Sequence, residues 1–440
     1  MDILIKVIQL FMCFTLLVGI HELGHFLMAR VFGIRVEKFY IFFDPWFSLF
    51  KFKRGDTEYG LGWLPLGGYV KIAGMIDESL DTEQMKQPVK PDEFRAKPAW
   101  QRLLVMVAGV MMNVLLAIVI YCAVCYTWGD SYFSNQDAKW GYNFNPTAHE
   151  MGFRDGDRFV SIDGEEIDNV MRVQNDLLIT DGGRRVIVER GGEPVTLDIP
   201  FESLLRMRQE KAYEDLFTLR LPFIVDSVSY TSAVEAGLES GDEVVAIDDL
   251  RDADYPRYRD YLQKHKNDKV LLTVRRDGAL IDSLALPVDA EGRIGVTVTN
   301  PYSLRTQYYT FWESIPAGIH KAGKTISSYW DQLKLIVQPK TKMYEELGGF
   351  VAIGSIFPSS WDWHDFWLKT AFLSIILAVM NLFPIPGLDG GHALFTLWEI
   401  ITRRKPSEKF LEVAQYVGLM IILALLVYAN GNDIYRFFIK

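Results

Sequence analysis

The sequence predicts an α-helical polytopic membrane protein with four transmembrane helices and a membrane-associated β-hairpin, to which two β-rich domains are added. Two observations carry this prediction: four separate apolar runs, and a long polar section between the second run and the third. The runs cover residues 3–20, 103–127, 366–383 and 417–429. A span needs about 20 apolar residues, so the second run suffices alone and the others need their flanks. The predicted transmembrane helices are therefore 1–30, 99–127, 364–392 and 408–432.

Charged residues predict how the chain is oriented in the membrane. Basic residues are frequent in the loop 31–98 and in the connector after the third span, and the positive-inside rule places both in the cytoplasm. The section 128–365 holds 26 basic and 39 acidic residues, hence a net charge of −13. It is therefore expected outside, as are both termini. Because the overall net charge of −10 comes mostly from this exported section, neither nucleic acid nor anionic lipid is expected as its partner. The lipid bilayer is an expected partner because of the four apolar runs.

The first span ends in the motif His21-Glu22-Leu23-Gly24-His25. Residues four apart lie on one helix face, so His21 and His25 can reach one metal ion. Glu22 then projects beside that ion and can take a proton from a water molecule that zinc has made acidic. Ionisable residues at a membrane span are costly unless they bind something, which favours a metal site. The alternative is a polar cap at the headgroups, with Glu22 and His25 merely solvated.

A catalytic zinc site needs a third protein ligand, and the end of the third span offers one. A third histidine of the metzincin type would fall at position 31, which is Val31. The third span instead ends in NLFPIPGLDGGH over residues 381–392, where two prolines stop the helix. Because this span runs from outside to inside, as the first does, both spans end at the same cytoplasmic depth, and Asp389 can meet the two histidines. Two alternatives remain: Asp389 only caps the next helix, or His392 is the ligand.

These residues resemble the site-2 protease family of intramembrane zinc metalloproteases, and in particular its regulator-of-sigma-E protease branch. The resemblance covers nearly the whole chain. Besides the two motifs it includes the block 67–71 (GGYVK), Ala108-Gly109 with Asn113, and a tandem repeat in the exported section. Two departures, Gly109-Val110 in place of the usual Gly-Pro and a Gly-Gly-Phe sequence at 348–350, affect local backbone geometry only.

The resemblance implies roles, substrates and a location. It implies that His21, His25 and Asp389 bind Zn²⁺, that Glu22 is the catalytic carboxylate, and that Asn381 holds the substrate backbone near the metal. The protein is then a protease of the bacterial cytoplasmic (inner) membrane that cuts single-span membrane proteins, typically anti-sigma factors already trimmed by another protease. Signal-peptide remnants are further expected substrates.

Two rival functions are considered. One is a membrane-anchored scaffold whose metal site is structural or inactive, and the intact Glu22 argues against it. The other is a zinc transporter, which a single ligand cluster does not favour.

Residues 58–72 (EYGLGWLPLGGYVKI) combine aromatic and β-branched residues with glycines and predict a short β-hairpin beside the membrane. An exposed strand edge can capture an unwound substrate segment by β-augmentation. The candidate substrate contacts, besides the asparagine of the third span, are Gly67, Gly68, Tyr69 and Pro386. The alternative is a hairpin that only packs on the spans.

Two related segments lie in the exported section. Residues 148–163 and 233–248 share the pattern A-x-x-x-G-hydrophobic-x-x-G-D-x-hydrophobic-x-x-I-D. The repeat looks like two circularly permuted PDZ domains, 140–202 and 220–300, with residues 222–225 as the expected edge strand of the second. The pair either excludes substrates with large exported domains or binds peptide C-termini. The sequence shows no basic pocket for a carboxylate, which favours the size filter.

Residues 305–360 are predicted to form an amphipathic helical connector, because apolar residues recur there at helical spacing. They are Trp312, Ile315, Ile319, Ala322, Ile326, Trp330 and Leu333. Such a stripe is either core or the membrane face of an interfacial helix. All three cysteines fall inside predicted spans, so no disulfide is expected in the exported section. Four further histidines are expected to be ordinary surface residues: His149, His265, His320 and His364.

Overall fold

The computed structural model describes residues 2–64, 67–75, 87–213 and 215–436. The chain forms two compact units, one of Met1–Asp130 with Gln307–Lys440 and one of Ser131–Thr306. The helices are α1 (Asp2–Val31), α2 (Ala99–Trp128), α3 (Pro146–Glu150), α4 (Val173–Leu178), α5 (Phe201–Gln209), α6 (Thr231–Glu235), α7 (Tyr255–Lys264), α8 (Phe311–Val337), α9 (Phe350–Ser355), α10 (Trp363–Leu382), α11 (Asp389–Thr402) and α12 (Glu408–Ile434). The strands are β1 (Val36–Ile41), β2 (Phe43–Arg54), β3 (Thr57–Leu64), β4 (Tyr69–Ile72), β5 (Asp130–Tyr132), β6 (Tyr142–Phe144), β7 (Arg158–Ile162), β8 (Glu165–Glu166), β9 (Arg184–Arg190), β10 (Glu193–Ile199), β11 (Phe217–Leu219), β12 (Phe223–Val228), β13 (Glu243–Ile247), β14 (Leu250–Arg251), β15 (Lys269–Arg276), β16 (Ala279–Pro287), β17 (Val296–Val298) and β18 (Arg305–Gln307).

Within the described residues, four helices are long and apolar enough to cross a bilayer. They cover Ile3–Val31, Ala99–Trp128, Trp363–Leu382 and Lys409–Ile434. These helices correspond to the four predicted spans. The third ends at Leu382, before the limit of 392 given to that segment, because Pro384 and Pro386 interrupt the helix before α11 begins.

Helix α2 is the centre of the membrane unit and packs on α1, α8, α10 and α11. It approaches α1 closely at Gly24, where a Cβ would lie 2.5 Å from the carbonyl oxygen of Ala108. On the α10 side, the Ser374 hydroxyl donates to the Asn113 carbonyl at 2.8 Å. On the α11 side, Arg102 and Glu399 form an ion pair. Since α1, α10 and α11 contact different sides of α2, a shift of α2 toward one of them would break its contact with another.

Helix α8 packs on α2 through small residues. Ser314, Gly318 and Ala322 are buried at a spacing of four. A Cβ on Gly318 would lie 2.6 Å from the backbone nitrogen of Cys122, so the two backbones are almost in contact. Small residues at this spacing are common where membrane helices meet.

The apolar stripe predicted on α8 is divided, since its Ala322 and Ile326 lie in or against this contact and other members are exposed. Its most exposed members, at 77%, 51% and 49%, are Trp312, Ile319 and Trp330. The core interpretation is therefore wrong for these three residues, because the small residues and not the large ones form the helix contact. Exposed aromatic and aliphatic side chains on a helix packed against apolar spans fit the other interpretation, a face toward lipid.

A four-stranded sheet follows α1, with the strand order β2-β3-β1-β4. The predicted hairpin over 58–72 is wrong in its pairing, since β3 and β4 both pair with β1, in parallel and antiparallel fashion respectively. The hairpin partner of β3 is β2. Strand β1 takes the central place because its Val36 and Tyr40 are fully buried. Pro65 and Leu66, inside the predicted hairpin, lie outside the described residues.

The sheet lies alongside α1. The Phe42 ring centroid is 5.1 Å from that of Phe11, and the Ile41 side chain reaches Gly19. Both contacts fall well inside the apolar part of α1. The sheet also exposes large aromatic residues at 91%, 56%, 62% and 50%: Trp46, Phe47, Phe50 and Phe52. This position and this surface fit the predicted association with the membrane.

The Ser131–Thr306 unit contains the same arrangement twice. In each copy a fully buried or nearly buried aspartate, Asp157 or Asp242, accepts two hydrogen bonds from one guanidinium, that of Arg190 or Arg276. The same guanidinium also donates to the carbonyl of a glycine five residues before the aspartate. The strand orders agree as well, β10-β9-β7 in the first copy and β16-β15-β13 in the second. The repeat predicted from the sequence is therefore present in the fold.

Each copy has its own apolar core, between Phe133 and Leu216 in the first and between Phe223 and Ile294 in the second. The segment 222–225 was expected to be an edge, and this expectation is wrong. Strand β12 pairs with β13 on one side and with β17 on the other. The sequence pattern did not show that β17, from the end of the section, covers the open side of β12.

Candidate metal centre

His21 and His25 lie one turn apart on α1, and both are buried. Their Nε2 atoms are 3.2 Å apart. The rings rest on the backbone of α2 at Gly109, where a Cβ would lie 2.4 Å from His25 Nε2 and 2.7 Å from His21 Cε1. Glycine is therefore required at this position by the two imidazoles.

Asp389 is the first residue of α11, and its carboxylate reaches both histidines. Its Oδ2 atom lies 3.0 Å from His21 Nε2 and 3.1 Å from His25 Nε2. The N-cap of α11 is Leu388, so capping does not account for the position of the Asp389 carboxylate. The sequence prediction that the ends of the first and third spans meet agrees with this geometry.

The glycine pair after Asp389 explains how the chain turns back. A Cβ on Gly390 would lie 2.2 Å from the carbonyl oxygen of Phe383, and one on Gly391 would lie 2.5 Å from that of Ile385. The segment after the third span therefore packs directly on the first turn of α11. This packing directs the Asp389 carboxylate toward α1.

The three side chains fit a zinc ion. Within the described residues, His21, His25 and Asp389 form a group whose ligand atoms all lie within 4.8 Å of one another. Two imidazoles and one carboxylate are a ligand set used by catalytic zinc sites. In a tetrahedral site with ligands about 2.0–2.1 Å from zinc, the ligand atoms lie about 3.3 Å from one another. The observed separations of 3.0 to 3.2 Å are close to that value. Burial opposes ionisation of Asp389, but the two histidines hold its pKa well below the ordinary value.

A cavity of about 730 Å³ opens beside these residues, and Glu22 faces it next to the two histidines. Gly68 lies against Glu22, since a Cβ there would be 3.4 Å from Glu22 Cγ. His392, the alternative ligand, also lines the cavity but is not part of the metal-binding group among the described residues.

Strand β4 forms one wall of the cavity. Residues 67–72 line it, and β4 is the last strand of its sheet, paired only with β1 among the described residues. The Tyr69 hydroxyl donates to Asp44 at 2.9 Å, and its ring stacks on Tyr40 with centroids 5.3 Å apart. Burial and the Asp44 carboxylate raise the pKa of Tyr69, so the phenol keeps the proton that it donates.

Two predicted substrate contacts lie on the third span and the loop that follows it. Asn381 lines the cavity, with its Nδ2 atom 3.4 Å from His21 Nε2. Pro386 is not among the cavity-lining residues that the structure describes. Its carbonyl instead packs on α12 at Gly418, where a Cβ would lie only 1.3 Å from the Pro386 oxygen.

Some residues of the site were not predicted from the sequence. His25 Nδ1 lies 2.8 Å from the carbonyl oxygen of Val105, a backbone contact that leaves no signal in the residue type. Gln415 of α12 is 5% exposed and lines the cavity, although it falls in a span predicted only to cross the membrane. The described histidines outside the site are exposed or half-buried and remote from the metal-binding group, as expected for His149, His265, His320 and His364.

This geometry defines a class of protein. Two histidines one turn apart and an aspartate from another helix can hold zinc beside a glutamate. The histidines and the glutamate lie on α1, a helix able to cross a membrane, so the site is that of a membrane-embedded metallopeptidase.

The comparisons with known proteins agree. The family model of Peptidase family M50 matches residues 9–425, and the chain belongs to this family, the site-2 protease family of zinc metalloproteases. A protein named as a zinc metalloprotease in Clostridium perfringens is 29% identical over 96% of this chain and 96% of its own length. The regulator of sigma E protease of Haemophilus influenzae is 28% identical, over 96% of this chain and 97% of its own length. The protein is thus an integral membrane zinc metalloprotease, which removes the scaffold and transporter alternatives.

Proposed function

We propose that this protease cuts a peptide bond within or beside the transmembrane helix of a single-span membrane protein. In this proposal His21, His25 and Asp389 hold the zinc ion, and Glu22 is the general base and acid. The observation that carries the proposal is the set of three ligand atoms, 3.0 to 3.2 Å apart, beside Glu22 in a cavity walled by β4, the outermost strand of its sheet among the described residues.

The chemistry divides between the metal and the protein. Bound zinc supplies Lewis-acid chemistry, because it polarises a carbonyl and lowers the pKa of water to about 7. Glu22 takes the proton that this water loses, since its carboxylate faces the cavity next to the histidines. The same carboxylate then gives the proton to the amine that leaves when the C–N bond breaks. Asn381 lines the cavity beside His21 and is placed to hold the substrate backbone.

Strand β4 is proposed to present the substrate. A peptide bond in an intact helix is screened by its own hydrogen bonds, so the segment must unwind before it can be cut. An extended segment can add to β4 by β-augmentation, because β4 is the outermost strand of its sheet in the described part of the chain. Gly67, Gly68 and Tyr69 are the proposed contacts, because they line the cavity beside Glu22. Pro386 is proposed to shape the loop that carries Asp389 and not to touch the substrate.

The Ser131–Thr306 unit is proposed to consist of two PDZ domains, near 140–202 and 220–300. Two separate cores with the same buried Asp–Arg pair support this division. The net charge of −13 over 128–365 supports an extracytoplasmic location, with the metal centre near the cytoplasmic face of a bacterial inner membrane. The function proposed for the unit is to exclude substrates with a large exported domain. Binding of a peptide C-terminus is the second candidate, but in the second copy it cannot use β12, which pairs with β13 and β17.

A similar relative suggests the substrate class. The Haemophilus influenzae protein is named regulator of sigma E protease, and 96% of this chain aligns with it. An anti-sigma-factor-like single-span protein, cut in regulated intramembrane proteolysis after another protease has removed its exported domain, is therefore the proposed substrate. Signal-peptide remnants have the same form, a single apolar helix with little attached outside, and are proposed as further substrates.

The test uses the full-length protein in detergent and two substrates with one shared transmembrane segment. One substrate carries a short exported tail, and the other carries a folded domain at the same position. Cleavage is followed by mass spectrometry of the fragments. The proposal predicts a cut within or beside the shared segment of the short substrate and at least about tenfold slower cleavage of the other, about 1.4 kcal/mol in barrier. Equal rates would contradict the size filter, and fragments cut only outside the membrane segment would contradict the substrate class.

A further inference from the structure

One face of α2 supports the two metal-binding histidines at a regular spacing. Val105, Gly109 and Asn113 are four residues apart, so they lie on the same side of the helix. Gly109 lets the rings approach the backbone, as described above. Val105 and Asn113 each offer a polar atom to one ring: the Val105 carbonyl lies 2.8 Å from His25 Nδ1, and the Asn113 amide lies 3.3 Å from His21 Nδ1.

The Val105 contact fixes which nitrogen of His25 carries the proton. A carbonyl oxygen can only accept, so His25 Nδ1 must donate and Nε2 keeps its lone pair. His25 Nε2 is the atom that faces His21 and Asp389. A hydrogen bond of this kind from the far nitrogen is the usual way in which proteins orient a metal-binding histidine.

Asn113 stands in the same relation to His21. Its side chain is fully buried, and its Nδ2 atom is the one near His21 Nδ1, whereas its Oδ1 atom is buried without a hydrogen-bond partner among the described residues. His21 Nε2 faces Asp389 at 3.0 Å, so a metal-binding His21 carries its proton on Nδ1. An amide nitrogen and a protonated Nδ1 are both donors and make no hydrogen bond. Rotation of the amide by 180° brings the unpaired oxygen to His21 Nδ1 and makes one.

We infer that Asn113 is a positioning residue for the zinc site: its amide oxygen accepts a hydrogen bond from His21 Nδ1 and so directs Nε2 toward the metal. The inference rests on the proposed zinc ligands. The Asn113 backbone is itself held, because its carbonyl accepts from Ser374 of α10. The packing of α2 on α1 and α10 fixes the position of this amide, so loss of the Ser374 hydrogen bond alone should not move it. Only the terminal rotation of the amide then adjusts to the proton on His21.

The experiment measures zinc affinity, by competition with a coloured chelator, for the full-length protein in detergent after metal removal. Asn113→Leu keeps the size of the side chain but removes the acceptor, and its zinc affinity should fall by about 10- to 100-fold. Asn113→Asp keeps an acceptor oxygen in place, and a carboxylate behind a metal-binding histidine is a common arrangement, so its affinity should stay within about threefold of wild type. The absorption spectrum of bound cobalt(II) should be altered in the leucine variant and not in the aspartate variant.

The matched control is Ser374→Ala, which removes the hydrogen bond to the Asn113 backbone but leaves the amide beside His21. Its zinc affinity should equal that of wild type. Thermal unfolding of the metal-free proteins shows whether each variant is folded. If the leucine variant is not, Asn113→Ala, which also lacks the acceptor, takes its place with the same expected loss.

Three results would overturn the inference. They are wild-type affinity in Asn113→Leu, an affinity in Asn113→Asp as weak as that of the leucine variant, or an equal loss in Ser374→Ala. A failure of the zinc site itself looks different, since His21→Ala would then bind zinc as tightly as wild type.

Discussion

Substitution of Gly109 by alanine tests how closely α2 supports the metal centre. The added Cβ would lie 2.4 Å from His25 Nε2, 2.7 Å from His21 Cε1 and 2.9 Å from His21 Nδ1. Restoring an ordinary contact of 3.4 Å requires the His25 ring or α2 to move by about 1 Å. Helix α2 is held by α1, α10 and α11, so the rings must give way.

A movement of this size is large for a metal site. Metal–ligand distances are expected to hold within about 0.2 Å, so a shift of about 1 Å removes at least one histidine from the zinc ion. We expect zinc affinity to fall by at least about 100-fold, which corresponds to about 2.8 kcal/mol, and cleavage to fall to background. Chelator competition on the full-length protein in detergent measures the affinity.

The matched control for Gly109→Ala is Gly323→Ala on α8. A Cβ on Gly323 meets no heavy atom within 4 Å, so the variant should bind zinc like wild type and gain up to about 1 kcal/mol of helix stability. The reasoning is refuted if Gly109→Ala binds zinc within about threefold of wild type while remaining folded.

Three further predictions concern His392, strand β4 and the buried Asp242. His392→Ala should leave zinc affinity unchanged in chelator competition, because His392 lines the cavity outside the ligand group, and a tenfold loss would restore it as a ligand. Gly68→Pro and Tyr69→Pro should abolish cleavage and leave zinc bound, since proline disrupts a strand edge that pairs with substrate; unimpaired cleavage by either would exclude this role of β4. Asp242→Asn should destabilise the Ser131–Thr306 unit by about 3 kcal/mol in urea unfolding monitored by proteolysis, because Arg276 loses its buried partner. Burial alone would raise the pKa of Asp242, but Arg276 holds it below the ordinary value, so this stabilisation is present above the unfolded pKa of about 3.9 and is lost as pH falls through the lower folded pKa. A difference between wild type and variant that persists unchanged in strong acid would contradict this origin.

The proposed metal ligands could be inferred from the sequence for two physical reasons. The spacing of His21 and His25 fixes them on one helix face whatever the tertiary structure. Asp389 could be added because the first and third spans run in the same direction and so end at one depth, and the prolines and glycines around it indicate a broken helix. Both arguments depend on features that are visible in a sequence: the spacing of residues along a helix, and the length of an apolar run that crosses the bilayer.

Other parts of the fold depend on contacts that residue types do not express. Strand β1 lies between β3 and β4, so the pairing within 58–72 depends on a segment outside it. The face of α8 that packs on α2 was missed because small residues make the contact between membrane helices, whereas the periodicity of large apolar residues marks the other face. The Val105 carbonyl supports His25 through the backbone, for which any residue would serve.

The most direct test of the account is the cleavage of a single-span substrate with a short exported tail by wild type and by Glu22→Gln, with zinc content measured on the same samples. The account predicts that both proteins bind one zinc ion per chain and that only wild type releases the fragment, because glutamine cannot take the proton from water. Cleavage by Glu22→Gln at the wild-type rate, or loss of zinc from that variant, would contradict the role assigned to Glu22.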